Sequence, residues 1–131
     1  MYICVDFDGT IVDFDFPDIG RPAPGAIKWL KRFQDKGGKI ILFTMRSDHR
    51  KYGPALTEAV DYLKKQGIEL FGINKNPTQV FWTSSPKAYG HVYIDDAAAG
   101  CPLIHPDGFN RPCVDWSKVG PIVEKMILEK T

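Results

Sequence analysis

The sequence predicts an α/β protein in which βαβ units build a mainly parallel central sheet with helices on both faces. Short, continuous apolar runs, of the kind found in strands buried on both faces, alternate with amphipathic stretches of helical periodicity. Turn-forming glycines and prolines separate these stretches, and polar residues directly follow several of the apolar runs. This alternation is typical of a three-layer arrangement, with one sheet between two layers of helices.

The strands can be placed in order along the chain. The main strands are predicted at residues 2–6, 39–43, 68–73 and 91–95, with a brief one at 103–104. The stretch from 74 to 90 is predicted to be irregular, and a short strand at 79–83 is an alternative for part of it. Four main strands are enough for one small sheet.

Three helices are predicted around these strands, at residues 25–35, 54–66 and 117–130. The first has apolar residues at helical spacing on one face and is stopped by Gly37-Gly38. Pro54 suits the first turn of the second helix, and Gly67 is its predicted C-cap. Ser117 is the predicted N-cap of the third.

Length and composition indicate one soluble domain. A chain of 131 residues with 44% hydrophobic residues is expected to bury roughly two-thirds of its unfolded surface in a single core. A net charge of +1 gives no overall attraction to nucleic acid or to an anionic membrane, so we expect neither as a partner. No apolar stretch reaches membrane-spanning length and no charged leader is evident, so we predict a cytoplasmic location.

The cysteines do not suggest a disulfide framework or a zinc site. Cys4, Cys101 and Cys113 are odd in number, and Cys4 lies within a predicted strand as a small buried residue. Cys101, His105 and Cys113 match no usual zinc-ligand spacing, and a fourth ligand is not evident.

Asp6-Phe7-Asp8-Gly9-Thr10, directly after the first apolar run, is the most informative stretch. Carboxylates two residues apart at the end of a strand project to the same side. Such crowding of like charges is unfavourable unless a cation bridges the two groups or one of them holds a proton. Both arrangements are useful in catalysis, so this pair predicts a catalytic centre.

Polar residues also follow two later strands. Thr44 ends the second apolar run, and Asp95 and Asp96 follow the fourth. Right-handed crossovers bring the carboxyl ends of parallel strands to one edge of the sheet, which is where open α/β sheets bind ligands. We therefore expect these residues to lie close to Asp6 and Asp8.

These segments together resemble the haloacid dehalogenase (HAD) superfamily. The stretch Asp6 to Thr10 resembles the first HAD motif, and the strand ending in Thr44 resembles the second. Lys87 and the strand ending in Asp95-Asp96 resemble the third and fourth. The motifs occur in the family's order between residues 2 and 96, and the resemblance implies a Rossmann-like fold. The intervals where the family inserts a cap domain are too short for one, which implies the capless branch of small bacterial or phage hydrolases.

The resemblance implies a phosphomonoester hydrolase that acts through an aspartyl-phosphate. Asp6 would be the nucleophile and Asp8 the general acid and base. Thr44 would hold the transferring oxygens through its hydroxyl, and Lys87 would pair with Asp6 and the phosphoryl group. Lys75 remains open as an alternative to Lys87.

The resemblance also implies Mg²⁺ as the cofactor. Its protein ligands would be the Asp6 carboxylate, the Asp8 backbone carbonyl and one carboxylate of the pair Asp95 and Asp96. We favour Asp96 as the direct ligand and Asp95 as a group that acts through water. Oxygen ligands of this kind suit a hard cation such as Mg²⁺.

The expected partner is a phosphorylated small molecule such as a nucleotide or a sugar phosphate. Arg46 is the residue expected to contact its phosphate, because a guanidinium matches phosphate oxygens bidentately. Segment 13–24, rich in proline and acid, is predicted to be a loop over the site, and Phe14 and Phe16 on it are candidates to stack on substrate. Whether this loop acts as a lid, and the oligomeric state, stay open.

Two other functions are compatible with a small α/β protein that carries acidic residues at strand ends. A receiver-type signalling domain also phosphorylates an aspartate beside Mg²⁺, but its acceptor follows the third strand, and no aspartate follows residues 68–73 here. An inactive HAD-like module that binds a phosphorylated ligand or a protein is the remaining alternative, since the presence of the residues does not prove competent geometry.

Overall fold

The computed structural model describes residues 1–130 and shows an α/β arrangement. Its strands are β1 (Tyr2–Val5), β2 (Lys39–Leu42), β3 (Asp48–His49), β4 (Gly53–Pro54), β5 (Leu70–Ile73), β6 (Val92–Ile94), β7 (Leu103–Ile104) and β8 (Cys113–Val114). Its α-helices are α1 (Ala26–Asp35), α2 (Ala55–Lys65) and α3 (Trp116–Lys130), with a 3₁₀ helix at Pro77–Phe81. The three predicted helices and the four main predicted strands are all present, with ends that differ by one or two residues.

A four-stranded parallel sheet forms the centre of the molecule. Its strand order is β5-β2-β1-β6, and each neighbouring pair is parallel. Two antiparallel hairpins, β3-β4 and β7-β8, lie outside this sheet. The predicted α/β class and parallel sheet are therefore confirmed, and the topology is compatible with a Rossmann-like fold.

The helices lie on one face of the sheet, which differs from the predicted three-layer arrangement. Ile3 and Val5 of β1 belong to the large core that contains the buried residues of α1, α2 and α3. Cys4 points to the other face and packs in a small cluster with Ile41 and Ala88. The expectation of helices on both faces is wrong, because segment 74–90 covers the second face without an α-helix.

The strand order explains this asymmetry. The chain moves from β1 to β2 to β5 in one direction across the sheet, then returns to place β6 on the other side of β1. A right-handed crossover from β5 to β6 must therefore pass over the face opposite α1 and α2. This crossover is segment 74–91, which contains only the 3₁₀ helix.

Side-chain hydrogen bonds explain why residues 79–81 complete a 3₁₀ helix and the possible strand at 79–83 does not form. Asn76 caps the helix by accepting the backbone N–H of Thr78 at 3.0 Å. Gln79 is buried, donates to the carbonyls of Ser85 and Lys87, and accepts the N–H of Tyr89 at 2.8 Å. These bonds draw the segment into a compact turn, so its backbone does not pair with the sheet.

Helix α3 packs in the core and contacts the loop that follows β1. Asp115 caps it by accepting the N–H and hydroxyl of Ser117 at 3.1 and 2.6 Å, so the predicted cap at Ser117 is displaced by two residues. Trp116 is fully buried and its indole N–H donates to the Thr10 carbonyl at 2.8 Å. The first turn of α3 therefore supports the backbone of the Asp6 to Thr10 stretch.

No helix within residues 1–130 is long and apolar enough to span a membrane.

Candidate active site

Three strand ends meet at the carboxyl edge of the sheet. Asp6 follows β1, and its N–H donates to the carbonyl of Ile94 in β6 at 2.9 Å. Asn74 follows β5, and its N–H donates to the carbonyl of Leu42 in β2 at 2.7 Å. Asp95 directly follows β6. The sheet hydrogen bonding thus continues to the residues that leave the strands, and it holds their backbones in register.

Three carboxylates converge at this edge. Oxygen atoms of Asp6, Asp95 and Asp96 lie within 4.8 Å of one another. The buried hydroxyl of Thr10 lies 3.1 Å from Asp6 Oδ2 and 3.3 Å from Asp96 Oδ1, and it accepts the Asp96 backbone N–H at 3.2 Å. Thr10 therefore fixes the distance between the end of β1 and the end of β6.

Gly9 makes this close approach possible. Its φ is +82°, in the left-handed region that side chains disfavour, and a Cβ there would lie 2.5 Å from Asp96 Oδ2. Any other residue at this position would collide with the carboxylate. Gly9 therefore lets the Asp96 carboxylate lie directly against the loop that follows β1.

Crowding and burial change the proton affinity of Asp6. Burial of the carboxyl, a hydrogen bond shared with Asp96 and the charge of Asp95 together raise the pKa of Asp6 to about 8. The backbone of Phe7 and the hydroxyl of Thr10 oppose this shift but do not cancel it. At neutral pH and without a cation, the cluster therefore keeps a proton on Asp6.

Asp8 is held by Arg46 rather than directed freely into the pocket. Arg46 Nε and Nη2 donate to the two Asp8 oxygens, each at 2.8 Å. The guanidinium also donates to the carbonyls of Pro17, Asp18 and Ala55 at 2.7 to 3.1 Å. Its side chain is only 1% exposed, so this bidentate ion pair is buried on the arginine side.

The contacts of Arg46 differ from its predicted role in binding substrate phosphate. All five N–H donors of a guanidinium are accounted for by these five bonds. The cation also lies over the rings of Phe7 and Phe16, 4.9 and 5.2 Å from their centroids. Arg46 therefore orients Asp8 and fastens the 13–24 loop to the site, and no donor remains for a ligand in this arrangement.

Thr44 lies where the sequence predicted, beside the acidic cluster. Its backbone N–H donates to Asn74 Oδ1 at 2.8 Å, and its hydroxyl oxygen accepts the Arg46 backbone N–H at 3.0 Å. Asn74 has a φ of 56°, a conformation that asparagine tolerates better than most residues. The end of β5 thus positions the end of β2, a contribution of Asn74 that the sequence analysis missed.

Neither candidate lysine joins the acidic cluster. Lys87 is exposed, lines a separate pocket with Trp82 and Tyr89, and places Nζ 5.3 Å from the centroid of the Tyr93 ring. Lys75 is also exposed. Among residues 1–130, no lysine forms an ion pair with Asp6. The predicted pairing of Lys87 with Asp6 is therefore not present in this arrangement.

A pocket of about 390 Å³ opens above the acidic cluster. Its polar wall carries the predicted residues Asp6, Asp8, Thr44, Arg46, Asp95 and Asp96, and its other wall is formed by Phe14, Phe16, Met45, Ala97 and Arg111. A larger groove of about 600 Å³ lies beside β5, but it is mainly apolar and holds no cluster of carboxylates. The smaller pocket is therefore the candidate active site.

Arg111 also lines this pocket, although no sequence motif indicated it. Its guanidinium stacks on the Phe14 ring, with Cζ 3.7 Å from the ring centroid. It belongs to the segment between β7 and β8, far in sequence from every motif, so spacing gave no signal for it. Phe14 was predicted as a candidate to stack on substrate. In the structure its ring stacks on the Arg111 guanidinium instead.

The fold and site define the class of protein: a small α/β protein with an acidic pocket at the carboxyl edge of a parallel sheet. The solved structure of a conserved protein from Bacteroides thetaiotaomicron is similar to it, with a TM-score of 0.70 and 32% sequence identity. The match covers 100% of this chain and 92% of that chain, so this chain belongs to the same family as that conserved protein. No family model and no curated protein matches the chain.

The raised pKa of Asp6 predicts how the stability of the metal-free protein depends on pH. The unfolded carboxyl has a pKa of about 4, whereas the folded one has a pKa of about 8. Between these values the folded state binds the extra proton, so in EDTA the free energy of unfolding falls as the pH rises from about 4 to about 8. The slope from this one group is at most about 1.4 kcal/mol per pH unit. Urea denaturation of wild type and Asp6→Asn at several pH values measures this pH dependence. Equal slopes in the two proteins would contradict the raised pKa of Asp6.

The buried pair between Arg46 and Asp8 predicts a large stability difference. Arg46→Met leaves the Asp8 charge and the carbonyls of Pro17, Asp18 and Ala55 without their donor, so the free energy of unfolding should fall by about 3–5 kcal/mol. Arg32→Met is the matched control, because Arg32 makes an equally short bidentate pair with Glu124 at the surface. Arg32→Met should lower the free energy of unfolding by only a small fraction of the loss in Arg46→Met. Denaturant titrations that show the same loss for both variants would exclude a special role for the Arg46 pair.

Proposed function

We propose that this protein is a Mg²⁺-dependent phosphomonoester hydrolase of the HAD-like, capless type, and that Asp6 is its nucleophile. The observation that carries the proposal is the convergence of Asp6, Asp95 and Asp96 beneath an open pocket that Asp8 and Thr44 also line. The order of the sequence motifs supports the same reaction. A nucleotide or a sugar phosphate is the proposed class of substrate.

The donor set fits a divalent cation. Three carboxylates with oxygens within 4.8 Å of one another supply the hard ligands that Mg²⁺ prefers. Burial and the neighbouring acids raise the pKa of Asp6 to about 8, and a bound cation would oppose this shift by favouring the charged carboxylate. Asp6 and Asp96 would hold the ion directly, with Asp95 acting through water and Asp8 through its backbone carbonyl. When bound, Mg²⁺ would neutralise the cluster and reduce the repulsion between Asp6 and a phosphate.

The reaction would proceed in two steps, with Asp6 as the nucleophile and Asp8 as the general acid and base. In the first, an Asp6 oxygen attacks phosphorus, the ester P–O bond breaks, and the leaving alkoxide takes a proton from Asp8. In the second, water attacks the aspartyl-phosphate, Asp8 takes a proton from that water, and the bond between phosphorus and Asp6 breaks. Inorganic phosphate leaves, and the proton on Asp8 serves the next leaving group.

Arg46 would act on this reaction through Asp8. The ion pair uses one lone pair on each Asp8 oxygen, and a carboxylate has others with which to accept a proton. The fixed orientation removes rotamers that point away from the pocket, which favours proton transfer at a defined position. Arg46 is in this sense a positioning residue, and Thr44 would hold the phosphoryl oxygens through its hydroxyl.

A second candidate function is a binding module for phosphorylated ligands that does not turn them over. One observation favours it: Lys87 lines another pocket, so the lysine expected beside the nucleophile is absent from the cluster. Such a module would bind a phosphate through the cation site and release no product.

Phosphate release distinguishes the proposed hydrolase from the binding module. We expect wild type to release phosphate from p-nitrophenyl phosphate, sugar phosphates or nucleotides with Mg²⁺ and not with EDTA. Asp6→Asn should lose activity by ~10³-fold or more, because the amide keeps the shape of the carboxyl but is not a nucleophile. The exposed Asp35 provides a control, and Asp35→Asn should behave as wild type. Full activity in Asp6→Asn would refute the mechanism, and binding of these compounds without release would favour the binding module.

A further inference from the structure

A phosphomonoester brought to this pocket needs more positive charge than the predicted residues supply. The acidic cluster contains three carboxylates, and a phosphomonoester adds up to two further negative charges near neutral pH. One divalent cation does not balance this charge. Arg46 has all of its N–H groups bonded within the protein, and Lys87 lies at another pocket.

Arg111 is a cation on the wall of this pocket whose charge is not matched by a carboxylate. It is exposed, lines the pocket together with Asp6 and Asp8, and makes no ion pair among residues 1–130. Its side chain stacks on the ring of Phe14. Stacking occupies the flat face of the guanidinium and leaves its N–H groups free at the edge, the geometry in which arginine binds phosphate bidentately.

The position of Arg111 is built into the fold. Asp13 is 3% exposed, and its carboxylate accepts the backbone N–H of Asn110 at 2.8 Å and that of Arg111 at 3.3 Å. The Asn110 side chain donates to the carbonyl of Phe14 at 3.0 Å. These bonds join the segment that carries Arg111 to the loop that carries Phe14, so the guanidinium is held over the pocket before a ligand arrives. Preorganisation of this kind reduces the entropy lost on binding.

We propose that Arg111 is the phosphate-binding cation of this pocket, in the place that a lysine was expected to fill. The inference rests on the phosphatase function proposed above and adds to it the residue that recognises the phosphoryl group. A substrate phosphate lies between the acidic cluster with its cation and the edge of the Arg111 guanidinium. Phe14 positions Arg111 through the stack, so its ring is not free on that side to stack on a base or sugar.

Binding of inorganic phosphate in the presence of Mg²⁺ tests this inference without requiring turnover. Calorimetry should show that Arg111→Ala weakens phosphate binding by roughly 10- to 100-fold, the usual effect of losing a hydrogen bond to a charged group. Arg111→Lys should recover part of the loss, because it keeps the charge but not the bidentate geometry. Arg111 is exposed and its backbone bonds remain in both variants, so they should fold as wild type does.

Arg21→Ala is the matched control. Arg21 is also exposed and stacked on an aromatic ring, that of Phe109 at 4.9 Å, but it does not line the pocket. Its variant should bind phosphate as wild type does. Unchanged binding in Arg111→Ala, an equal loss in Arg21→Ala or no phosphate binding by wild type would each overturn the inference. Phosphate release by wild type decides the proposed function separately, since loss of binding in Arg111→Ala without any turnover would keep this inference and reject the hydrolase.

Discussion

Repulsion among three carboxylates is the constraint on which the rest of the site depends. Oxygen atoms of Asp6, Asp95 and Asp96 lie within 4.8 Å of one another, and such crowding of partly buried like charges lowers the stability of the folded protein. The structure nevertheless holds them together, with the Thr10 hydroxyl between Asp6 and Asp96 and with Gly9 leaving room for the Asp96 carboxylate. The proposed cation site accounts for this arrangement, because a bound divalent cation would turn the repulsion into attraction.

The loops around the pocket are fastened by charged groups rather than by apolar packing alone. Arg46 joins Asp8 to the carbonyls of the 13–24 loop, and Asp13 joins the same loop to the backbone at Asn110 and Arg111. Both residues are almost fully buried, so their bonds compete little with water. Two loops that are distant in sequence thus form one wall of the pocket.

The sequence predicted the parts of this arrangement that are set by strand ends. Asp6, Thr44 and Asp95 follow apolar runs, parallel strands end at one edge, and these residues do line one pocket. The predictions that the structure does not support concern residues whose positions depend on tertiary contacts. Lys87 lies in a segment with no periodicity, whose path is set by the buried Gln79. The partner of Arg46 depends on how the 13–24 loop folds back, and Arg111 is brought in by a hairpin whose second strand, β8, had no recognised pattern.

The central claim is that the acidic cluster binds a cation and that Asp6 loses its proton when the cation binds. Proton release on binding Mg²⁺ is the most direct test of this claim. With the pKa of Asp6 raised to about 8, most molecules at pH ~7 carry a proton on Asp6 that the cation must displace. Calorimetric titration with Mg²⁺, repeated in buffers of different ionisation enthalpy, should therefore report release of close to one proton per ion bound by wild type and none by Asp6→Asn. Binding of Mg²⁺ by wild type without proton release, or no binding at all, would contradict the account.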